Sequence, residues 1–286
     1  MQDKPHISIG IPIFNGENFF EYTYNCLNNQ TYKDFEIIVS NNCSSDNTAK
    51  LIDNLKQSDK KMKVYHQPNP LSPVENFKKV LELSRGSYFM WLSHDDYIEK
   101  DYLMKIKSLL NEKDAIFGKV KYVDTNQKII NKLQNGQLFN FFGSEILKKI
   151  KFIFYPSLSG KMILFWSLYH TDTLKENIHF LKNYPGDFNY FDMPFVFQLL
   201  NVFNFKSCKN AVFYKRNHLQ SESVKQNKNT KDIFKILKHL FTIKSYLLFL
   251  SQLSQKHKII TLALSPLGYF FNLLGNIYIY AIYKEK

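Results

Sequence analysis

The sequence predicts an α/β fold built on a mainly parallel sheet with helices on both faces. Two observations carry this expectation. Over residues 1–125, apolar runs of strand length alternate with segments of helical periodicity, the pattern of repeated βα units. Three of those runs are followed at once by a polar residue: Asn15, Asn41 and Asp95. Parallel sheets bind ligands in the crevice outside the carboxyl ends of their strands. Three polar positions are therefore expected to converge on one edge.

Each element has a local reason. Residues 7–13 read as a buried strand, and residues 18–30 as a helix with Phe20, Tyr24 and Leu27 on one face. Residues 36–41 (EIIVSN) form a second strand. Ser45 or Asp46 can cap a helix to about residue 57, with Leu51, Ile52 and Leu55 inward. Residues 62–67 are a third strand. Residues 73–84 are a helix with Pro73 in its first turn, ended by Gly86. Residues 87–92 (SYFMWL) are a fourth strand, followed by His94, Asp95 and Asp96. A helix over 101–112 and a strand over 115–123 complete this half.

The second half is less regular. Helices are expected over 142–151 and 192–201, and strands over 164–169 and 212–214. Residues 220–230 read as a mobile loop rich in Lys and Asn. Residues 231–252 form a helix pattern with Lys231, Lys235 and Lys238 on one face. Residues 259–283 then run without a charge, flanked by lysines. That stretch is long enough to span a bilayer. Pro266, Gly268, Gly275 and its many tyrosines leave an interfacial or re-entrant helix as open as a true span, with packing on the soluble domain the least favoured alternative.

Composition narrows the function classes. The chain has 286 residues and a mass of 33.9 kDa, with 44% hydrophobic residues, enough for a sizeable core and against wholesale disorder. Three scattered cysteines without CxxC spacing argue against a disulfide framework or structural zinc, and fit a reducing compartment. The polar start Met1–Pro5, before a strand-length apolar run, argues against a signal peptide. Residues 1–125 carry 16 basic and 17 acidic side chains, whereas residues 126–286 carry 22 and 8. The net charge of +13 thus sits in the second half. It points to an anionic partner: phospholipid, a phosphorylated substrate or nucleic acid.

The candidate site residues follow from placement and chemistry. Adjacent carboxylates at a strand end, Asp95 and Asp96, repel one another unless a cation compensates. A hard divalent ion holding a substrate diphosphate is one such cation; acids capping the next helix are the structural alternative. Asn15 and Asn41 suit a base or ribose, and equally a turn. Asp46 reads as a cap. Asp192 opens a helix pattern, as a cap or as a general base facing the crevice, and Asp187 competes for the second role. Arg216 and His218 can contact phosphate, and His218 can join a metal; a solvated basic loop is the alternative. His6, His66, His179, His239 and His257 are expected to have no special role.

Taken together, these residues resemble the family 2 glycosyltransferases, which bind nucleotide sugars on a GT-A fold. The opening ISIGIPIFNGENFFEYTYNCLNNQTYKDFEIIVSNNCSSDNT and the later ENFKKVLELSRGSYFMWLSHDD follow that family in order and spacing. The resemblance is strong over 6–125, fair over 160–222, and absent from the tail. It implies nucleotide contacts from Pro12, Phe14, Asn15, Glu17, Asn41, Asn76 and His94. Asn41 stands where the family usually has an Asp that pairs with uracil. Ser93-His94-Asp95 matches the DxD metal motif with Ser93 in place of its first Asp, so Asp95 and the following Asp96 are the implied ligands of Mg²⁺ or Mn²⁺. DMPFVFQL resembles the segment whose first Asp is the catalytic base, which assigns Asp192. RNHLQS resembles a segment on a loop that closes over the donor diphosphate, which assigns Arg216 and His218.

The resemblance implies an inverting transfer from a nucleotide-diphosphate sugar, UDP-linked in most of the family, to a hydroxyl. Residues 1–125 would bind the donor, residues 126–230 the acceptor, and residues 231–286 would form a basic amphipathic helix and apolar tail. Charge, tail and family together suggest a glycan or lipid-linked acceptor in bacterial surface polysaccharide or lipooligosaccharide synthesis. They suggest an anionic membrane surface as a partner, at the cytoplasmic face of the inner membrane. A nicotinamide dehydrogenase is excluded because the turn after the first strand reads Phe14-Asn15-Gly16-Glu17 rather than GxGxxG. Nucleic-acid binding is disfavoured by the acidic crevice and apolar tail. The remaining alternative is a non-catalytic scaffold of the same fold, for which Asn41 and Ser93 speak.

Overall fold

Seven consecutive buried residues, Ile7–Ile13, form the central strand β1 of the computed structural model, which describes residues 5–155, 160–182 and 191–218 and positions 270 and 274. A strand buried on both faces is not bound to alternate apolar with exposed polar residues, and β2 (Phe35–Asn41) is likewise buried along its whole length, Glu36 included. Both pair in parallel, Ile7 opposite Phe35 through Ile13 opposite Asn41. β3 (Met62–His66) lies parallel beyond β2, and β4 (Tyr88–Trp91) parallel on the other side of β1. The crossovers are helices α1 (Phe20–Asn28), α2 (Thr48–Ser58) and α3 (Pro73–Glu82). α3 starts as its sequence indicates, with the Ser72 hydroxyl accepting from the Glu75 N–H at 3.2 Å and Pro73 in the first turn.

A second, three-stranded sheet lies beside the first. β5 (Tyr97–Ile98) pairs antiparallel with β8 (Asn204–Arg216), which runs parallel to β6 (Asp114–Val123). Helix α4 (Tyr102–Lys107) connects β5 to β6, and α5 (Glu145–Phe154) follows β6. A 3-10 helix (Lys161–Trp166), strand β7 (Tyr169–His170), helix α6 (Thr171–Glu176), a second 3-10 helix (Ile178–Phe180) and helix α7 (Asp192–Leu199) complete the described chain. β7 joins β4 antiparallel, so the larger sheet has the order β3-β2-β1-β4-β7.

The expected elements over residues 1–125 are present with shifted ends, and α4 stops at Lys107. Three differences have physical causes. The strand expected over 164–169 is a 3-10 helix followed by two strand residues. A five-residue apolar run, residues 162–166, has no period to separate helix from strand, and packing decides: Phe165 stacks on Trp91 with centroids 4.7 Å apart. β8 is thirteen residues long rather than three, because the exposed Lys206, Lys209 and Asn210 hide its pattern. A register shift between Gly118 and Lys119 interrupts its pairing with β6. β5, two residues long, left no signal at all. The expected loop at 220–230, the helix at 231–252 and the apolar stretch 259–283 lie outside the described residues, apart from positions 270 and 274. Among the described residues, no helix is long and apolar enough to cross a membrane.

An ion cluster fastens the edge of the sheet away from the crevice. Glu36, buried at the start of β2, accepts from the Ser8 hydroxyl at 2.7 Å, the Arg85 N–H at 2.9 Å and Lys63 Nζ at 2.7 Å. Burial alone would raise this carboxyl, but Lys63, Ser8 and Arg85 hold it below its usual range. Its stabilisation is therefore present above the ordinary carboxylate range and lost as pH falls. Glu36→Ala is expected to cost about 2–3 kcal/mol in urea unfolding, because Lys63 and Arg85 can turn to solvent but the Ser8 and Arg85 donors lose their acceptor. A loss under about 0.5 kcal/mol would show that water replaces the carboxylate fully.

Candidate active site

The carboxyl ends of β1, β2 and β4 meet on one edge, as the sequence places Asn15, Asn41 and Asp95. After β1 the chain turns through Asn15, whose φ of 50° lies in the left-handed region that Asn tolerates. The Asn15 N–H donates to the Ser44 hydroxyl at 2.9 Å, and its Oδ1 accepts from the Ser45 N–H at 2.9 Å. Glu17 Oε2 accepts from the Asn47 N–H at 2.8 Å. These bonds tie the loop after β1 to the loop after β2. Gly16 is required by close approach: a Cβ there would meet His94 Cδ2 at 2.7 Å and Ile13 Cδ1 at 2.5 Å. Phe14 is 54% exposed beside this turn, while Pro12 is buried within β1.

Asn41, at the end of β2, is 3% exposed. Its Oδ1 accepts from the Ser44 hydroxyl at 2.6 Å, and its Nδ2 lies 3.0 Å from His66 Nδ1. Asn76, on α3, is set behind it. Its Oδ1 accepts from the Ser40 hydroxyl at 2.6 Å and its Nδ2 donates to the Ser40 carbonyl at 3.2 Å. In the structure Asn76 therefore braces the end of β2.

The turn after β4 carries the charge. The Thr23 hydroxyl of α1 lies 2.9 Å from the His94 carbonyl and 2.8 Å from the Asp96 carbonyl, which fixes the turn on α1. Asp95 accepts from the Ser93 hydroxyl and lies 2.8 Å from His218 Nε2. Burial alone would raise its carboxyl, but His218, His94, Lys215 and Ser93 together hold it well below the usual range. Asp96 is wholly buried, and accepts from Lys215 Nζ at 3.0 Å and the Arg216 N–H at 2.9 Å. Burial pushes its carboxyl up to about 6, with Lys215 pulling down and Asp95 pushing up. Burial also lowers the His94 imidazole. The end of β8 thus brings three residues to this turn: Lys215 and Arg216 on Asp96, and His218 on Asp95.

Arg216 is 3% exposed, with its guanidinium carbon 4.9 Å from the Phe19 ring, 5.1 Å from Tyr22 and 5.5 Å from Tyr97. Its Nε and Nη1 are buried and find no hydrogen-bond partner among the described residues. A buried N–H without an acceptor costs about 1–3 kcal/mol, so this group is primed for an anion. Asp192 opens α7. Burial pushes its carboxyl up to about 6, opposed by the Met193 N–H at 2.8 Å and the charge of Lys215. Phe191 beside it packs on Phe77 and Phe165, at 5.3 and 5.6 Å between centroids. Lys215 acts on Asp95, Asp96 and Asp192 alike. Asp187 lies outside the described residues.

Several residues here were not singled out by the sequence. Lys215 showed only as one lysine in a basic segment, and Thr23 as one polar position on a helix. The Phe19, Tyr22 and Tyr97 rings around Arg216 all lie more than a hundred residues before it in sequence. His66, read as having no role, touches Asn41.

Among the described residues, no group of three or more His, Cys, Asp or Glu is arranged to hold a metal ion. Asp95 with His218 supplies one carboxylate and one imidazole, a donor set that suits Mn²⁺ or Mg²⁺ when diphosphate oxygens and water supply the rest. Both oxygens of Asp96 are taken by Lys215 and Arg216; on Asp95 one oxygen accepts from Ser93 and the other faces His218, so an ion there would enter between Asp95 and His218. Asp96 stands behind the pair and offers them its charge.

Comparison with known proteins bears on the family and the fold. The family model described as Glycosyl transferase family 2 matches residues 8–183, which stops short of Asp192, Arg216 and His218. An uncharacterized glycosyltransferase of Haemophilus influenzae is 26% identical over 189 residues, covering 61% of this chain and 74% of that protein. A GalNAc(5)-diNAcBac-PP-undecaprenol beta-1,3-glucosyltransferase of Campylobacter jejuni is 32% identical over 116 residues, 40% of this chain and 38% of the relative. Among solved structures, S. aureus TarS 1–349 in complex with UDP-GlcNAc superposes with a TM-score of 0.64 at 19% identity, over 92% of this chain and 72% of that one. GalNAc-T7 with UDP, GalNAc and Mn²⁺ superposes with a TM-score of 0.58 at 9% identity, over 77% of this chain and 45% of that one. Such identities establish a shared GT-A fold. With the family model matching more than half of the sequence, the chain belongs to glycosyl transferase family 2 and is a glycosyltransferase.

Proposed function

We propose that the enzyme transfers a sugar, with inversion, from a UDP-sugar to a hydroxyl of a glycan or lipid-linked acceptor. The observation that carries the proposal is the convergence of Lys215, Arg216 and His218 from the end of β8 on Asp95 and Asp96 at the carboxyl edge of the sheet, with the carboxyl of Asp192 within reach of the charge of Lys215. In this reading the loops after β1 and β2, with Phe14, Asn15, Glu17 and Asn41, hold the nucleoside. The buried Arg216 N–H groups offer bonds to the diphosphate, and the adjacent Lys215 adds positive charge where the leaving group develops negative charge. Asp95 and His218 would hold the divalent ion, which when bound supplies Lewis-acid stabilisation of the diphosphate. Asp192 accepts the proton of the acceptor hydroxyl as its oxygen attacks the anomeric carbon. The bond from that carbon to the diphosphate oxygen breaks in the same step, and its electron pair leaves with the nucleotide.

Residues 126–230 are proposed to recognise the acceptor. The excess positive charge of the second half supports an anionic membrane surface at the cytoplasmic face of a bacterial inner membrane. The name of the Campylobacter relative supports an undecaprenyl-linked acceptor and a role in surface glycan synthesis. The test is thermal shift of the full chain against UDP, GDP, CDP and ADP, with and without Mn²⁺. A shift of several degrees with UDP and Mn²⁺ is expected, because a ligand at 100 times its Kd adds about 2.7 kcal/mol. No shift with any nucleotide in folded protein would sink the proposal.

A further inference from the structure

The Asn41 amide is held in one orientation by a chain of hydrogen bonds that crosses three elements. The Ser44 N–H points at Asn41 Oδ1 at 3.3 Å, a long bond that sets the carbonyl end of the amide on that side and leaves the other end to a second restraint. Asn41 Nδ2 then donates to His66 Nδ1 at 3.0 Å. With Nδ1 an acceptor, the proton of the neutral ring sits on Nε2, which lies 3.0 Å from Asp53 Oδ1 on α2. Donor and acceptor alternate from Ser44 to Asp53 without conflict. His66 and Asp53 are exposed, with 41% and 56% of their side chains accessible, so this relay contributes no burial to the core.

We infer that His66 is a positioning residue for base selection: it locks the Asn41 amide so that the pocket takes uracil and rejects cytosine. The inference rests on the proposed nucleotide-sugar reading of the crevice. An amide has one acceptor end and one donor end, and a freely flipping one can serve either pyrimidine. Uracil presents N3–H beside a carbonyl, whereas cytosine presents a bare N3 beside an amino group, the reverse pattern. A locked amide can match only one of them. The exchangeable partner on Oδ1 is the Ser44 hydroxyl, a rotor that donates at 2.6 Å. The group that takes its place must also donate: uracil offers N3–H there, whereas cytosine in the same placement sets a bare N3 against Oδ1 and carries its donor amino group one position away. The lock lets a neutral amide act as the fixed acceptor that a carboxylate would be in any orientation.

The test compares UDP and CDP affinity for the full chain by titration calorimetry with Mn²⁺. The native protein is expected to prefer UDP by about tenfold or more, since a site built to bond one pattern rejects the analogue that lacks it. His66→Ala leaves only the Ser44 N–H, at 3.3 Å, to orient the amide, and should narrow the UDP/CDP ratio by at least about threefold. His66→Asn, whose Oδ1 can stand near the place of Nδ1, should restore most of the ratio and also covers the case in which the alanine variant folds poorly. An unchanged ratio in His66→Ala, even with both affinities lowered, would overturn the lock while leaving the nucleotide site intact. Binding of neither nucleotide by the native protein would overturn the lock together with the reading beneath it.

Discussion

Asp192→Asn is expected to lower the rate of sugar transfer by about 10²–10⁴-fold, the range that a positioned general base contributes. Donor affinity should stay within about twofold, because the amide keeps the size and most of the bonding of the carboxylate. The raised carboxyl of Asp192 sets the pH dependence. Burial pushes it up to about 6, so the base is protonated and idle below that pH. The native rate should climb about tenfold per unit below pH 6 and level off above it. Asp192→Asn should also leave the protein more stable at neutral pH. A carboxyl whose folded value lies above its unfolded one destabilises the fold once ionised, here by about 1–2 kcal/mol after allowing for partial exposure. Transfer assays and urea unfolding on one preparation check both halves. Native turnover in the variant would reject Asp192 as the base, and loss of donor binding would show that it holds the donor instead.

Asp95→Ala is expected to remove the Mn²⁺-dependent part of UDP binding and to lower transfer by at least about 10³-fold. The carboxylate anchors the proposed ion, and His218 rests on it at 2.8 Å. Asp96→Ala should act differently. It leaves Lys215 as a buried cation without its partner and releases the Arg216 N–H, so a loss of stability of about 3–5 kcal/mol is expected. Thermal shift with Mn²⁺ alone, UDP alone and both together separates the two variants. Intact Mn²⁺-dependent UDP binding in Asp95→Ala would remove that residue from the ion site. A fold as stable as the native one in Asp96→Ala would show that Lys215 finds another partner.

Much of this architecture is legible in the sequence. β1, β2, α2 and α3 announce themselves because burial of a whole strand, or of one helix face, forces an apolar pattern of fixed period. The crevice residues after β1, β2 and β4 follow, since a parallel sheet must present its carboxyl ends together. The second sheet was less legible. β5 is two residues long, and β8 carries exposed lysines at positions where a buried strand would be apolar. Residues 164–169 read as a strand, but the first three belong to the 3-10 helix Lys161–Trp166, in which Phe165 meets Trp91.

The sequence by itself determined the fold class and the residues that make the crevice acidic at its centre, because both follow from local chemistry and short periods. Only the tertiary structure decided how those residues share their bonds. It gave Asp95 to His218 and Asp96 to Lys215, across more than a hundred residues of chain. It set Arg216 among three rings with its N–H groups unspent, turned Asn76 into a brace for β2, and joined His66 to Asn41. A side chain's role in such a site depends on which donor reaches which acceptor within about 3 Å. That distance is settled when separate strands and helices pack, and no periodicity along the chain encodes it.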